Sequence, residues 1–253
     1  MARQIPTPEL IADTWLELRS RKPRVHCITN SVVQAFTANL LLAAGAIPSM
    51  STDRQEVGDF VVHCDSLLIN LGTLDGDRRD SIGLAIEAAA ATQKPWVLDP
   101  VFIDVAVNRR HFAKQLLAQR PSIVRSNAAE MTALIGSSTD LALMRNVARQ
   151  RNTILCVSGD NDLIVADDGA TRVANGDPLA RIVTGTGCAL AALVAAACAV
   201  TGDLRLAAVA AHSCFGIAVE LSAGRGPGTL AATLPDTLYR LDRTTILGAA
   251  RLH

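Results

Sequence analysis

The hydrophobic pattern of the chain alternates between short β-rich runs and longer stretches in which apolar residues recur at helical spacing. Compact apolar runs bounded by polar residues, glycine or proline predict strands. We predict strands at about 25–28, 46–50, 66–70, 96–99, 123–125, 153–157, 162–166 and 171–174. Strands that alternate with helices are typical of an α/β fold, in which helices cover both faces of a mostly parallel sheet.

Capping signals place the helices between these strands. Thr7 followed by Pro8 favours an N-cap and a first helical residue, and Gly45 favours the end of a second helix. The predicted helices span about 8–20, 31–44, 81–92, 128–135, 186–200, 204–222 and 230–241. The Asp168-Gly169 pair between two β-rich runs indicates a hairpin. No linker or repeat divides the chain, so we predict one domain over residues 1–253.

Composition narrows the classes of partner. The chain has 24 basic and 24 acidic residues, so no bulk charge favours nucleic acid or a membrane surface. Six scattered cysteines without a CxxC motif favour reduced thiols in a cytoplasmic protein. Pro6, Pro8 and Glu9 interrupt the place where a signal peptide would be apolar, and the apolar run 188–200 is too short to span a bilayer. We therefore expect a cytoplasmic protein that binds neither nucleic acid nor membranes.

The strongest local motif is the sequence TGTGC at 184–188, which leads directly into a predicted helix. Gly185 and Gly187 let the backbone approach a ligand closely, and the first helical turn presents unpaired N–H groups. Together they could form an anion hole for a phosphoryl group in transfer. A glycine turn that only allows tight helix packing is an equally good interpretation of these five residues alone.

Polar side chains also follow several predicted strands. Asp99 ends one strand, and Glu130 lies one helical turn after another, where carboxylates could hold Mg²⁺. Arg125 and Ser158 end two further strands and could bind phosphate. Each has a structural alternative: a capping or surface carboxylate, a salt bridge, or a plain Ser-Gly turn.

The thiol of Cys188 stands at a helix N-terminus, where its pKa is expected to be lowered so that it could accept a proton. A buried and inert cysteine is the alternative. The five histidines show no metal-ligand spacing, so no chemistry is assigned to them.

Seven segments in register resemble the hydroxyethylthiazole kinase family along almost the whole chain. They are VHCITN (25–30), AIPSM (46–50), LDPV (98–101), VRSNAAEM (124–131), VSGDNDLIVADDG (157–169), RIVTGTGC (181–188) and GPGT (226–229). The resemblance implies a three-layer, ribokinase-like α/β fold. It also implies ATP-dependent phosphorylation of 4-methyl-5-(2-hydroxyethyl)thiazole in thiamine salvage, with Mg²⁺, by a homotrimer whose active sites lie between subunits.

The resemblance also implies roles for individual residues. Asn30 and Met50 would line the thiazole pocket, and Gly185 would contact the substrate. ATP would be bound by Arg125 and Ser158. Mg²⁺ would be held by Asp99 and Glu130. Cys188 stands at the position of an aspartate base in related sugar kinases. It would act in catalysis together with Gly185 and Gly187 of the glycine turn at 184–188, called the anion turn below.

The chain departs from the family pattern in three places. The usual GVGA after LDPV is replaced by Phe102, Ile103, Asp104 and Val105, Ser31 stands in place of a tyrosine, and Ser126 in place of a glycine. The first change should alter a loop near the nucleotide or the metal. A kinase for another vitamin-precursor alcohol, hydroxymethylpyrimidine or pyridoxal, is therefore one alternative. A thiazole- or nucleotide-binding protein without catalysis is the other.

Overall fold

A computed structural model describes residues 6–253. Within this range eight strands form one sheet: β1 Arg24–Ile28, β2 Ile47–Ser49, β3 Ser66–Asn70, β4 Trp96–Asp99, β5 Ile123–Asn127, β6 Ile154–Ser158, β7 Asp162–Val165 and β8 Ala170–Val173. The strand order is β2-β1-β3-β4-β5-β6-β7-β8, parallel from β2 to β6 and antiparallel from β6 to β8. All eight predicted strands and the predicted hairpin are confirmed, with bounds that differ by at most two residues.

Eleven α-helices occur in the part of the chain that the structure describes. They are α1 Pro8–Arg21, α2 Gln34–Ala44, α3 Val57–Val62, α4 Gly76–Ala91, α5 Val107–Ala118, α6 Ala128–Ile135, α7 Leu141–Arg151, α8 Thr186–Cys198, α9 Leu204–Ser222, α10 Pro227–Arg240 and α11 Arg243–Ala249. The sequence prediction missed α3, α5, α7 and α11. Helices α3 and α11 have six and seven residues, too few for a clear apolar period, and α5 and α7 bury only three and two side chains.

Three predicted helix starts are corrected by local capping. The helix expected at 31–44 begins as a 3₁₀ turn, Ser31–Val33, because Asn30 Oδ1 accepts a hydrogen bond from Val32 N at 3.0 Å. The helix expected at 81–92 begins at Gly76, since the Asp75 side chain accepts from Arg78 N at 2.8 Å. The helix expected at 230–241 begins at Pro227, a favoured first helical residue.

Helices cover both faces of the sheet and create two hydrophobic cores. One core is formed with α1, α2 and α8–α11, and the other with α3–α7. Helix α8 is apolar nearly all round and packs under β1, β3 and β4. Helix α9 is long and apolar enough to span a membrane, but it is mostly buried, as expected of a core helix.

The chain reverses its direction of growth across the sheet between β1 and β3. Strand β2 lies on one side of β1, and all later strands lie on the other side. Ligands of open α/β sheets bind at the carboxyl ends of strands, near such a switch point. A ligand site is therefore expected among the residues that follow β1 and β3 and their neighbours on β4, β5 and β6.

Candidate active site

The anion turn is fixed by conformation and by packing. Gly185 has a φ of +90° and precedes α8, and no side chain caps this helix within residues 6–253. A Cβ added at Gly185 would lie 2.8 Å from Val33 Cγ1. Thr186 Oγ1 donates to the carbonyls of Ala180 and Val183, at 2.8 and 3.0 Å. The first N–H groups of α8 are thus left for a ligand, as an anion hole requires.

The predicted ATP-binding pair meets this turn. Arg125 Nη2 donates to Ser158 Oγ at 2.8 Å. The two residues are close because β5 and β6 are parallel neighbours whose carboxyl ends are in register, with Asn127 beside Ser158. A Cβ added at Gly187 would lie 2.8 Å from Arg125 Nη1. The guanidinium therefore lies against the bare backbone of the anion turn, and Arg125 pairs with a hydroxyl rather than with the carboxylate of a salt bridge.

A cavity of about 810 Å³ joins most of the predicted residues. Its walls include Asp99, Arg125, Glu130, Ser158, Gly187 and Cys188. The lining also includes residues of α9 and of the segment after β8, among them His212, Phe215, Asn175 and Gly176. A cavity that combines charged groups with apolar side chains matches the phosphates and the nucleoside of a nucleotide.

The residues expected to bind the acceptor lie apart from this cavity. Gly185 faces Val33 and Phe36 at a second groove of about 380 Å³, which is lined with Ile182, Pro227 and other apolar residues. Asn30 packs against Gly72, where an added Cβ would lie 2.7 Å from Asn30 Nδ2. Met50 follows β2 and packs at the edge of the first core. The anion turn separates the two spaces, since Gly185 faces the groove and Gly187 the cavity.

Asp99 has the features of a cation ligand. It is 1% exposed, its Oδ2 accepts from Asn70 Nδ2 at 2.6 Å, and its buried Oδ1 has no partner in the described chain. The pKa of Asp99 is raised to about 7, chiefly by burial and also by the nearby Glu130 carboxylate, against the opposing effects of Arg125 and Asn70. A buried carboxylate oxygen that lacks a partner is suited to a bound cation.

Glu130 holds the backbone as well as lining the cavity. Its Oε2 accepts from Asn127 N and completes a capping box on α6, and its Oε1 accepts from Phe102 N, both at 2.9 Å. The capping role, weighed as an alternative from sequence, is therefore present. Residues 6–253 contain no group of three or more His, Cys, Asp or Glu arranged for a metal. Mg²⁺ needs only one or two carboxylates when waters and phosphates complete its shell, so Asp99 and Glu130 fit it.

The lowered pKa expected for Cys188 is wrong. Burial raises the pKa of this thiol to about 12, and the Asp99 carboxylate adds to the shift. Hydrogen bonding with Asn70 and the charge of Arg125 act in the opposite direction but do not compensate. A helix N-terminus lowers a thiol pKa where solvent helps to hold the charge, and here desolvation is the larger effect.

The loop after β4 differs from the family pattern but is firmly held. Ile103 is buried in the second core, and Phe102 has a φ of +61°, in the left-handed region. Arg109 Nη1 donates to Val101 O at 2.9 Å, and Arg110 Nε donates to Ile103 O at 2.8 Å. The segment without the family's glycines is therefore a fixed loop, in which Phe102 is exposed and its backbone N–H contacts Glu130.

Ser31 and Ser126 mark the other two departures. Ser31 N donates to Thr73 Oγ1 at 3.1 Å, so the residue that replaces the usual tyrosine is tied to the turn after β3. Ser126 is fully buried, and its Oγ has no partner within the described residues. Neither serine displaces a predicted site residue.

Two features of the site escaped sequence reasoning. Asn70 ends the apolar strand SLLIN in the way that Asp99 ends WVLD, and this shared pattern was the available signal. His212 Nδ1 lies 2.6 Å from Asp162 Oδ2, and Gly159 N donates to Asp162 Oδ1 at 3.0 Å. This pair braces the turn after Ser158, and no sequence spacing links residues 162 and 212.

Comparison with known proteins identifies close relatives. The model of the hydroxyethylthiazole kinase family matches residues 16–244. A "probable hydroxyethylthiazole kinase" of Agrobacterium fabrum is 40% identical over 100% of this chain and 98% of its own length. The solved structure of a hydroxyethylthiazole kinase from Pyrococcus horikoshii superposes with a TM-score of 0.92 and 36% identity, covering 97% of this chain and 98% of that one.

A more distant structure supports the fold class alone. A ribokinase-like superfamily protein of Enterococcus faecalis has a TM-score of 0.70 at 13% identity and covers 94% of this chain and 96% of that one. The predicted ribokinase-like architecture is confirmed by these superpositions and by the sheet described above.

Proposed function

Because the chain belongs to the hydroxyethylthiazole kinase family, we propose that it transfers the γ-phosphoryl group of ATP to the hydroxyl group of 4-methyl-5-(2-hydroxyethyl)thiazole. The observation that carries the proposal is that the anion turn, Arg125, Ser158 and two carboxylates converge on one cavity. A protein that only bound thiazole would not need this arrangement of phosphate-binding groups. The product, a thiazole monophosphate, fits a role in thiamine salvage.

The nucleotide would lie in the large cavity with its phosphates toward α8. Arg125 and Ser158 bind phosphate oxygens, and the N–H groups of Gly187 and Cys188 hold the charge that develops on the group in transfer. Asp99 and Glu130 would hold Mg²⁺, which neutralises phosphate charge when it is bound. Asp99 supplies a buried oxygen without another partner, and Glu130 shares its oxygens with two backbone N–H groups.

Cys188 is proposed to orient the acceptor hydroxyl rather than to carry a free thiolate. A thiol whose pKa is raised to about 12 keeps its proton at neutral pH. Phosphoryl transfer passes through a loose transition state and needs little help from a base, so such a thiol is sufficient. Cys188→Ala should therefore lower kcat without abolishing turnover, and it should leave the KM for ATP unchanged.

The acceptor would approach from the groove side of the turn. Asn30 and Met50 line the thiazole pocket in this proposal, and Gly185 lets the substrate reach the backbone. Val32 and Ile182 at this groove are 71% and 68% exposed, which is unusual for large apolar side chains. We infer that a neighbouring subunit of a cytoplasmic homotrimer covers them and completes the pocket. Sedimentation velocity on the purified protein, with Ile182→Glu as the disrupting variant, tests this assembly.

The decisive experiment is ADP formation by purified protein with ATP, Mg²⁺ and one acceptor at a time. Hydroxyethylthiazole should give turnover, whereas hydroxymethylpyrimidine and pyridoxal should give at least tenfold lower kcat/KM. Preference for either of the other alcohols would replace the proposed substrate, and the Phe102 loop is where such a change would arise. No ADP with any acceptor, together with tight thiazole binding, would favour the binding protein without catalysis. Full activity of Arg125→Ala would contradict the phosphate-binding role.

A further inference from the structure

Asn70 is the last residue of β3 and stands at the centre of the site. Strand pairing sets it directly beside Asp99, the last residue of β4. Both side chains are 1% exposed. An amide buried at the carboxyl edge of the sheet has to find partners there, because water does not reach it.

The orientation of the Asn70 amide is fixed by its two hydrogen bonds. Gly72 N donates to Asn70 Oδ1 at 2.9 Å, so the amide oxygen faces its own backbone turn. Nδ2 must then face Asp99, and it donates to Asp99 Oδ2 at 2.6 Å. This bond engages one carboxylate oxygen and leaves Oδ1, which has no partner in the described chain, as the oxygen available to a cation.

Asn70 also reaches the other two parts of the site. The Asn70 side chain lies near enough to the Cys188 thiol at the start of α8 to oppose the rise in its pKa. Through the turn that it holds, it contacts the acceptor side, since the Gly72 Cα packs closely against the Asn30 side chain. This contact lies at the switch point between β1 and β3.

We propose that Asn70 is a positioning residue that fixes the Asp99 carboxylate for the cation and aligns it with Cys188 and with the Asn30 turn. The inference rests on the proposed function, and it adds a residue to which no role in phosphoryl transfer has been given so far. A neutral amide suits this task because it orients a carboxylate without neutralising it. Groups that hold a metal ligand in place commonly change metal affinity or activity by about 10- to 100-fold when they are removed.

The test compares Asn70→Leu and Asn70→Ala with the matched control Ser66→Ala. Ser66 is a fully buried residue at the other end of the same strand, and its Oγ has no partner in residues 6–253. Three quantities are measured: Mn²⁺ affinity by electron paramagnetic resonance in the presence of ADP, kcat and KM for both substrates, and the free energy of unfolding in urea. Mn²⁺ is used as a paramagnetic probe of the Mg²⁺ site.

Both Asn70 variants should bind Mn²⁺ about 10- to 100-fold more weakly and lose kcat by a similar factor. The affinity for ADP measured without divalent cation should not change, because Arg125 and Ser158 are untouched. Ser66→Ala should leave all of these values as in the unchanged protein. If Asn70→Leu fails to fold, Asn70→Ala removes the same donor with less steric demand.

Unchanged Mn²⁺ affinity in folded Asn70 variants would overturn the proposal, as would a loss of stability with no change in Mn²⁺ affinity or kcat. Mn²⁺ binding is measured without turnover, so the result does not depend on which alcohol is phosphorylated. Failure of the protein to phosphorylate hydroxyethylthiazole would instead contradict the proposed function.

Discussion

Gly187→Ala offers a sharp separation of stability from nucleotide binding. A Cβ at this position would lie 2.8 Å from Arg125 Nη1 and 3.4 Å from its Cζ. Non-bonded carbon atoms prefer about 3.5–4.0 Å, so the guanidinium has to withdraw by roughly 1 Å. It can do so because a long side chain moves more easily than backbone, but it then leaves the Ser158 Oγ with which it makes a 2.8 Å hydrogen bond.

The expected magnitude follows from the hydrogen bond that the displaced Arg125 guanidinium would no longer make with an ATP phosphate. A hydrogen bond to a charged group contributes about 1.5–3 kcal/mol, and about 1.4 kcal/mol corresponds to a tenfold change in affinity. The Kd for ATP should therefore rise by about 10- to 100-fold. The helix should not suffer, since alanine is favoured over glycine by up to about 1 kcal/mol in a helix. The free energy of unfolding should stay nearly constant, because this gain offsets the loss of the Arg125–Ser158 hydrogen bond.

Isothermal titration with ATP and urea denaturation measure the two quantities. Gly83→Ala is the matched control, because Gly83 lies inside α4 and an added Cβ there meets no atom within 4 Å. The control should gain stability and keep the same Kd for ATP. Wild-type ATP affinity in Gly187→Ala would refute the argument, because it would mean that the Arg125 position seen here does not matter for binding.

Three further predictions concern the surroundings of the site. Burial lowers the pKa of His26 from 6.5 to about 4. Between these two pH values the unfolded chain binds this proton and the folded chain does not. The free energy of unfolding is therefore highest above pH 6.5 and decreases as the pH falls towards 4. Wild type should lose roughly 2 kcal/mol more than His26→Gln between pH 7 and pH 5 in urea denaturation, and equal losses would contradict this assignment. Gly185→Ala should cost about 1–2 kcal/mol in unfolding free energy and reduce kcat/KM for thiazole, given its φ of +90° and the 2.8 Å contact with Val33. Gly136→Ala, at a similar φ of +101° with its nearest neighbour at 3.9 Å, should cost less, and an equal cost would remove the steric part of the argument. Phe102→Gly should keep or raise the melting temperature, because Phe102 has a left-handed backbone conformation that glycine adopts without strain. Phe102→Ala should not raise the melting temperature. A clear loss of stability in the glycine variant would disprove strain at this loop.

Sequence reasoning recovered the features that local chemistry determines. The strands that carry Asp99, Arg125 and Ser158 are short apolar runs with a polar residue at or near the end, and that pattern is visible without a structure. The glycines of the anion turn were equally visible, because only certain backbone conformations need them. What this reasoning could not determine was which strands are neighbours and how deeply each group is buried.

The error at Cys188 shows why burial matters. A thiol at the start of a helix has two opposing influences on its pKa, and the sequence shows only the favourable helix terminus. The unfavourable part comes from α8 being packed under the sheet with the Asp99 carboxylate beside it. The same limit applied to Asn70, since its significance depends on the pairing of β3 with β4.

The order of the strands determines which parts of the candidate site can vary. Asn70, Asp99, Arg125 and Ser158 come from β3, β4, β5 and β6, which are successive neighbours in one sheet. Strand spacing of about 4.8 Å and backbone hydrogen bonds fix the distances between them, so the proposed binding of phosphate and cation would be set by the sheet itself. The groove around Val32 and Ile182 lies beyond the strand ends and exposes apolar side chains, whereas the Phe102 loop contacts Glu130 at the nucleotide cavity. Changes in substrate preference that arise at the groove should therefore leave the binding of ATP unchanged, whereas changes at the Phe102 loop should also alter the binding of Mg²⁺.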